Sequence, residues 1–367
     1  MRIAYLFNSS TPSSNPSSIQ VVNTCSAISQ LSHRVKLIVP NTGQNVSLKK
    51  FYGINKSPTL IKLKYFNKFP LGIYYYLFSF FSIVHAIFDK TELYITRNIF
   101  NLILLNILKK KVIIEIHHDF HNEGRFVKFL CKYINVFNKK NIVKIVAITY
   151  AVKKYLVKNF NIDTKKIEVI PSASSLKFKF SNLNKKKFYN IGYFGSLDKS
   201  KGTNFIIKLA NKDKVNKYYI YGGSKYDVSI LKKRKIPNNL KINHSVHYGR
   251  LKYIISKMDI LLMPSNTKKI RSLGRIGNIV KFTSPLKLFD YLASGKLIIS
   301  SNASVFKEIL SDGKNCFLVN NFKISNWLKI INRTKFELSK INKIKKNAFE
   351  LSKKYTYIKR AKKILDF

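Results

Sequence analysis

The chain has 367 residues, more than one hydrophobic core usually holds and enough for two domains. Apolar residues make up 46%, which excludes general disorder. The three cysteines, Cys25, Cys131 and Cys316, form no CxxC pair. Neither a disulfide framework nor a cysteine zinc site is therefore expected, and a reducing cytoplasm fits.

Net charge is the most unusual property of the composition, because 68 Lys and Arg against 17 Asp and Glu give +51. One explanation is an anionic partner, such as a membrane surface, nucleic acid or a phosphorylated substrate. The other is AT-rich coding, which would also produce the excess of Lys, Asn, Ile, Phe and Tyr. No nucleic-acid-binding motif accompanies the charge, so a specific nucleic acid partner is not expected.

Apolar patterns in the first half alternate between strand and helix lengths. Strands are predicted over residues 2–7, 35–39, 92–96, 112–116, 143–149 and 167–170. Residues 8–18 are rich in Ser, Pro and Asn and predict a loop, and residues 19–31 predict a helix. Strands separated by helix-length segments are typical of βαβ units in a parallel sheet.

One apolar stretch, residues 69–88, approaches the length of about 20 residues that spans a bilayer. It contains Pro70, Gly72, His85 and three tyrosines, so a buried or interfacial helix is the first interpretation. Insertion into a membrane surface and a true span are the alternatives. The first seven residues are followed by polar sequence, and no signal peptide is expected.

After a polar, lysine-rich linker at 172–189, the alternation begins again. Strands are predicted over 191–194, 218–221, 240–242, 260–263 and 297–301, and lysine-rich helices over 324–367. The sequence therefore predicts an α/β chain with two Rossmann-like, doubly wound domains. Their carboxyl strand edges should face each other across a ligand cleft. The predicted boundaries are 1–172, 173–354 and a final helix, 355–367, that returns to the first domain.

The entry to the second domain predicts a phosphate site. A strand is followed by Gly195, Ser196, Lys201 and Gly202, and then by a helix. Glycine allows a ligand to approach the backbone, and a lysine near a helix start supplies positive charge to a diphosphate. The alternative is an ordinary turn with a solvated lysine. The nearby Lys199 is a second candidate cation.

A second helix start follows in the sequence SPLKLFDYLASG, residues 284–295. Ser284 suits the N-cap, Pro285 the first helical position and Gly295 the C-cap. The free N–H groups of such a start attract an anion, and Asp290 can accept hydrogen bonds from sugar hydroxyls. The predicted donor-binding residues of this segment are Ser284, Pro285, Leu286, Lys287 and Asp290.

In the first domain, His117 and His118 follow a predicted strand and should lie at the ligand edge of its sheet. A neutral imidazole there can hydrogen-bond a sugar hydroxyl. A metal site with Asp119 and His121 is an alternative, and a purely structural role is another. Arg97 either binds an anionic acceptor or pairs with an acid.

These motifs resemble the retaining GT-B glycosyltransferases of family 4, and the resemblance extends over nearly the whole chain. The family pattern S-P-L-K-L-F-E-Y-M-A-x-G matches residues 284–295, and G-x-L-x-x-x-K-G matches 195–202. The paired Gly222 and Gly223 resemble its turn beside the nucleotide base. The sequence around Glu308 resembles its E-I-L-x-D-G element, where Glu308 would brace the helix.

The resemblance implies transfer of a sugar, with retention, from a nucleotide-diphosphate donor to a glycan or lipid-linked acceptor, without a metal or cofactor. His117, with His118 second, would position the sugar, while Ser17, Ser18 and Arg97 would lie on the acceptor side. Surface polysaccharide or lipopolysaccharide biosynthesis is the expected process. The expected location is the cytoplasm, peripheral on the inner face of the membrane, with anionic lipid as a partner.

Three positions depart from the family pattern. Ser196 stands where the family often has arginine, Phe282 where many members have a first glutamate, and Asp290 where the second glutamate is usual. These departures leave a catalytically inactive, nucleotide-binding member as the alternative. A basic nucleic-acid-binding protein is a further one.

Overall fold

The structure, a computed structural model, describes residues 1–43, 45–64, 71–120, 129–131, 133–267, 278 and 280–367. The chain forms two compact units. Unit 1 consists of Met1–Ala173, Phe282–Ser284 and Tyr357–Phe367, and unit 2 of Ser174–Lys281 and Pro285–Thr356. Each unit is built on one parallel β-sheet with helices, which confirms the predicted α/β class.

The sheet of unit 1 has seven strands in the order β3-β2-β1-β4-β5-β6-β7, all parallel. The strands are β1 (Arg2–Leu6), β2 (Arg34–Pro40), β3 (Thr59–Leu63), β4 (Leu93–Thr96), β5 (Val112–Ile116), β6 (Ile142–Ala147) and β7 (Ile167–Val169). Their central members are continuous apolar runs, as expected for a parallel sheet covered on both faces.

The helices described in unit 1 connect these strands. They are α1 (Pro16–Gln30), α2 (Leu48–Tyr52), α3 (Leu71–Phe88), α4 (Ile99–Ile107), α5 (Tyr150–Phe160) and the late helix, which is labelled α12 (Tyr357–Leu365). Side-chain N-caps begin two of them, because Asn98 accepts from backbone N–H groups of α4 and Thr149 from one of α5. Helix α12 packs on α1.

The sheet of unit 2 has six parallel strands in the order β10-β9-β8-β11-β12-β13. The strands are β8 (Asn190–Phe194), β9 (Lys217–Tyr221), β10 (Leu240–Asn243), β11 (Ile260–Met263), β12 (Leu297–Ser301) and β13 (Phe317–Val319). The described helices are α6 (Thr203–Lys212), α7 (Lys225–Lys232), α8 (Tyr248–Ser256), α9 (Leu286–Ser294), α10 (Ile324–Arg333) and α11 (Leu338–Ser352).

Both faces of the unit 2 sheet are covered by apolar layers. Along β11, Ile260 and Leu262 join one buried cluster, whereas Leu261 and Met263 join the other. This alternation follows from the two-residue period of a strand. The sheet is therefore an interior layer, and the ligand-accessible part is its carboxyl edge, where β8 gives way to a glycine turn.

Several predicted boundaries were wrong. Helix α1 begins at Pro16, so Ser17 and Ser18 lie in its first turn and not in a loop. Ser284 is not an N-cap, because α9 begins at Leu286 with Pro285 in the capping position and no side-chain cap. The short strand β3 was not predicted.

Within the described residues, no helix is both long and apolar enough to cross a bilayer. Residues 69 and 70 of the predicted apolar helix lie outside the described part.

Candidate functional site

The turn after β8 is held tightly. The N–H of Phe194 donates to the Tyr291 hydroxyl at 2.9 Å, and the N–H of Gly195 donates to the Tyr221 carbonyl at 3.0 Å. A Cβ on Gly222 would lie 1.6 Å from the Gly195 carbonyl oxygen, so position 222 accepts only glycine. Two glycine turns thus touch at the carboxyl edge of β8 and β9.

A 3-10 turn, Lys199–Lys201, connects this strand to α6. The Asp198 carboxylate caps it, accepting from the Ser200 N–H at 2.7 Å. Gly202 follows with φ +80°, and a Cβ there would lie 2.0 Å from the Pro264 carbonyl oxygen. The backbone at Lys201 is therefore fixed from both sides.

Two lysines with incomplete charge compensation lie at this turn. The Lys287 Nζ is buried, lies 4.4 Å from the Tyr193 ring centroid, and has no hydrogen-bond partner among the described residues. A Cβ on Gly195 would be 3.5 Å from that ammonium. Burial lowers the pKa of Lys201 to about 8, although the Asp198 charge acts in the other direction. Burial and the charge of Lys201 hold the pKa of Lys287 well below its usual value.

The chemical signature of the site is two lysines that lack an ion-pair partner among the described residues, although the charge of Asp198 acts on Lys201. Among described residues, neither lysine forms an ion pair within 4 Å. A buried ammonium without a carboxylate is costly, and an anionic ligand removes that cost. Lys199 differs, because its side chain is exposed. Of the two predicted candidate cations, Lys201 is thus the less exposed one.

Asp290 is buried beside this site, on α9. Its Oδ1 accepts from the Ser174 hydroxyl at 2.6 Å and from the Tyr248 hydroxyl at 2.7 Å. Burial raises the pKa of Asp290 to about 7. The carboxyl group therefore ties α9 to the start of unit 2 and to α8, and its contact with a ribose stays a prediction.

Three other predicted donor residues lie on the helices and turns that follow strands of the unit 2 sheet. Leu286 is buried in the first turn of α9, and Gly223 adopts φ +65° before the capping box of Ser224 that begins α7. Glu308 is exposed at the end of a 3-10 turn, Ser304–Glu308.

Ser284 and Ser196 have other contacts. Ser284 belongs to unit 1, where its hydroxyl accepts from the N–H of Ser172 at 3.1 Å. The carbonyl oxygen of Ser196 accepts from the Tyr193 hydroxyl at 2.8 Å.

In unit 1, a fully buried carboxylate organises the histidine site. Glu115 lies on β5, and its Oε2 is 3.2 Å from His117 Nε2. Two arginine charges hold the pKa of Glu115 well below its usual value, whereas burial and Arg97 lower the pKa of His117 to about 3. The carboxylate only accepts, so the proton of the neutral imidazole is on Nε2. His117 Nδ1 is thereby left as a hydrogen-bond acceptor.

Both arginines contact Glu115 directly. Arg97 Nε lies 3.1 Å from Oε2 and 3.0 Å from the Tyr5 hydroxyl. Arg360 Nη1, from α12, lies 3.0 Å from Oε1 and 3.0 Å from the Thr24 hydroxyl. Of the two interpretations of Arg97, pairing with an acid is the one present here. The sequence analysis missed Glu115 and Arg360, although a single acid in the apolar strand VIIEI was a usable signal.

The remaining predicted residues of unit 1 make local contacts. His118 Nδ1 is 2.6 Å from the Asp119 carbonyl oxygen, and the Ser18 hydroxyl donates to the Ser10 carbonyl at 3.0 Å. Ser17 is half-buried. Across the described residues no three His, Cys, Asp or Glu side chains are grouped to hold a metal, and His121 lies outside them.

Residues 174–351 match the family model of Glycosyl transferases group 1. No curated protein sequence matches the chain.

Solved structures resemble the chain over its full length. Anabaena Alr3699/HepE in complex with UDP-glucose has a TM-score of 0.70 at 15% identity, covering 100% of this chain and 98% of that one. Sucrose-phosphate synthase from Thermosynechococcus elongatus has a TM-score of 0.72 at 12% identity, covering 99% and 97%. The lipopolysaccharide outer core galactosyltransferase WaaB, in its apo form, has a TM-score of 0.66 at 14% identity, covering 100% and 99%.

The fold of the chain is therefore that of the GT-B glycosyltransferases, as predicted. Most of its second unit matches the model of Glycosyl transferases group 1, which agrees with the family resemblance found in the sequence.

Proposed function

We propose that the protein is a retaining glycosyltransferase that uses a nucleotide-diphosphate sugar. The observation that carries the proposal is the pair at a glycine turn formed by the half-buried Lys201 and by Lys287, whose ammonium is buried; neither has an ion-pair partner among the described residues. A diphosphate supplies the missing negative charge. The family match of unit 2 and the UDP-glucose complex of a structural neighbour support the same ligand class.

In this proposal, unit 2 stabilises the leaving diphosphate. The two ammonium groups and the free N–H groups at the start of α9 gain most from the charge that develops as the glycosidic bond breaks. Asp290 is assigned to the ribose of the donor, and Glu308 to bracing the helix beside the nucleotide site. The lysines supply the positive charge, so we propose transfer without a metal or cofactor.

Unit 1 contributes the neutral imidazole of His117. With its proton on Nε2 and directed to Glu115, Nδ1 accepts a hydrogen bond from a hydroxyl of the transferred sugar. Ser17 and Ser18 are assigned to the acceptor side, and His118 is the second candidate to contact the sugar. A glycan or lipid-linked acceptor and a role in lipopolysaccharide or surface polysaccharide synthesis are proposed, supported by the resemblance to WaaB.

The first test is calorimetric titration of UDP, GDP, ADP and TDP at low and high salt. One nucleotide should bind selectively. Lys201→Ala should weaken that binding by about 1.5–3 kcal/mol, the worth of a charge-assisted contact. Lys199→Ala is the matched control, since its exposed ammonium is on the same turn. If all four nucleotides bind equally weakly and binding is lost in high salt, the binding is non-specific electrostatic attraction and the proposed donor site is contradicted.

Catalysis is tested separately from binding. Slow hydrolysis of the selected nucleotide sugar, followed by NMR, should release the sugar first in the donor's own anomeric configuration. Release of the opposite anomer would contradict retention. Tight nucleotide binding with no hydrolysis and no transfer to any added glycan would indicate the inactive, nucleotide-binding alternative.

A further inference from the structure

Helix α3 of unit 1 presents an apolar face to solvent. Ile73, Phe80, Phe81 and Phe88 expose 48%, 53%, 43% and 82% of their surface, and the half-buried Leu77 and Val84 lie between them. Spacings of 4, 7, 8, 11 and 15 residues place all six on one side of a helix. We call this set the α3 apolar face.

The opposite side of α3 fixes the helix to unit 1. Tyr74, Phe78 and Ile83 are buried there. The Asn98 amide donates to the Ser79 hydroxyl at 2.8 Å, which joins α3 to the cap of α4. The α3 apolar face therefore belongs to a packed helix, and its exposure is not a consequence of a loose segment.

The composition of α3 is unusual for an exposed helix. Its 18 residues, LGIYYYLFSFFSIVHAIF, contain no Lys, Arg, Asp or Glu. Solvent-exposed helices normally carry charges on the outer face, and a continuous apolar face marks an interaction surface.

The carboxyl end of the α3 apolar face is basic. Exposed Lys90 follows Phe88, while the nearby Asp89 is paired with Lys36 at 2.6 Å and Glu92 with Arg2 at 3.7 Å. No unbalanced acid is therefore left at this end of the helix among the described residues.

The neighbouring helix α4, which packs on α3, repeats the pattern. It ends in Ile107 and Leu108, which expose 70% and 45%, and exposed Lys109 and Lys111 follow at once. Exposed apolar and basic side chains thus lie next to each other at the end of α4 as well.

We propose that the α3 apolar face docks unit 1 on an anionic lipid bilayer, with α3 lying in the interface. A bilayer supplies an apolar layer for the phenylalanines and negative headgroups for the lysines. A second copy of the chain carries the same positive charge and would be repelled. This goes beyond the transfer reaction, because it assigns the membrane contact to six named residues, and it holds or fails independently of the donor site.

The test is sedimentation of the full chain with vesicles of phosphatidylcholine alone or mixed equally with phosphatidylglycerol. The wild type should bind the anionic vesicles. Phe80→Ser/Phe81→Ser should bind roughly tenfold more weakly, because each ring adds apolar area to the membrane contact. The matched control is Phe336→Ser, an 83% exposed phenylalanine of unit 2, which should bind as the wild type does.

Two further variants guard against a folding defect. Phe88→Ser removes an 82% exposed ring at the helix end and should weaken binding without changing the melting temperature. Phe80→Trp should show a blue shift in fluorescence on anionic vesicles, against the constant signal of the buried Trp327.

Unchanged vesicle binding of Phe80→Ser/Phe81→Ser would overturn the proposal in favour of charge alone. Absence of wild-type binding, or self-association that the same variant abolishes, would also overturn it.

Discussion

The two units bury positive charge in opposite ways. In unit 1, Arg97 and Arg360 both contact Glu115, so each buried cation has a carboxylate partner within the protein. In unit 2, the half-buried Lys201 and the buried ammonium of Lys287 have no ion pair among the described residues. The cations of the first arrangement are already paired with a carboxylate, whereas an anionic ligand would supply the missing partner in the second.

This difference distinguishes cations that stabilise the fold from cations that could bind a ligand, in a chain that is rich in basic residues throughout. The net charge of +51 points to no particular site. A ligand site is indicated where a cation is shielded from water and has no ion-pair partner. The cost of removing such a cation from water is offset only when an anionic ligand binds to it. Substitutions in the two clusters should therefore change stability in opposite directions.

The largest effect is expected for Glu115→Gln. Removal of this carboxylate leaves two arginines buried without their anion, and loss of one member of a buried ion pair costs about 3–5 kcal/mol. Thermal unfolding monitored by circular dichroism should show the loss. Glu168→Gln removes a partly exposed acid paired with Lys144 and should cost less than about 1 kcal/mol. Similar melting temperatures for the two variants would contradict the role of Glu115.

A smaller effect of opposite sign is expected for Lys287→Met. Methionine keeps much of the packing and removes the unpaired ammonium, so the ligand-free protein should gain about 1–3 kcal/mol. The nucleotide selected by calorimetry should raise the melting temperature of the wild type but not of this variant. Lys199→Met, in the exposed position, should change neither quantity. A less stable Lys287→Met protein would show that the lysine has a compensating partner.

The smallest effect concerns pH. The Lys201 side chain, with a pKa of about 8, is charged below that pH and loses its proton as the pH rises through it. Nucleotide affinity should therefore be full near pH 7 and fall by up to about tenfold by pH 9. Lys201→Arg keeps its charge over this range and should abolish the fall. A fall of equal size in that variant would assign the titration to another group.

Much of the fold could be predicted from the sequence because parallel strands leave strong local signals. Continuous apolar runs such as Val112–Ile116 and Ile260–Met263 were found directly. The edge strand Thr59–Leu63 was missed because it has lysine within it and is only half-buried, so its apolar pattern is weak. The start of α9 was misplaced by one residue because Ser284 contacts Ser172 rather than the helix.

The candidate site was harder to predict because side-chain partners come from distant positions. Local spacing pointed to Lys201 and His117, but it gave no indication that Arg360 reaches Glu115, 245 residues earlier. The lack of a hydrogen-bond partner for the Lys287 ammonium could not be predicted from the sequence either, since it depends on which side chains pack around it in the folded protein. A sequence pattern indicates which side chains could bind a ligand. Packing determines which of them are already paired with other protein groups.

Because α12 belongs to unit 1 but is translated last, unit 1 can be completed only near the end of translation. Thr24 and Glu115 leave the ribosome long before Arg360, and nearly all of unit 2 is translated between them. Until then, Glu115 faces Arg97 alone and the side of α1 that receives α12 is uncovered. The amino-terminal unit therefore acquires its final stability after translation has passed residue 360, and a nascent chain stalled before that point would present this surface to chaperones.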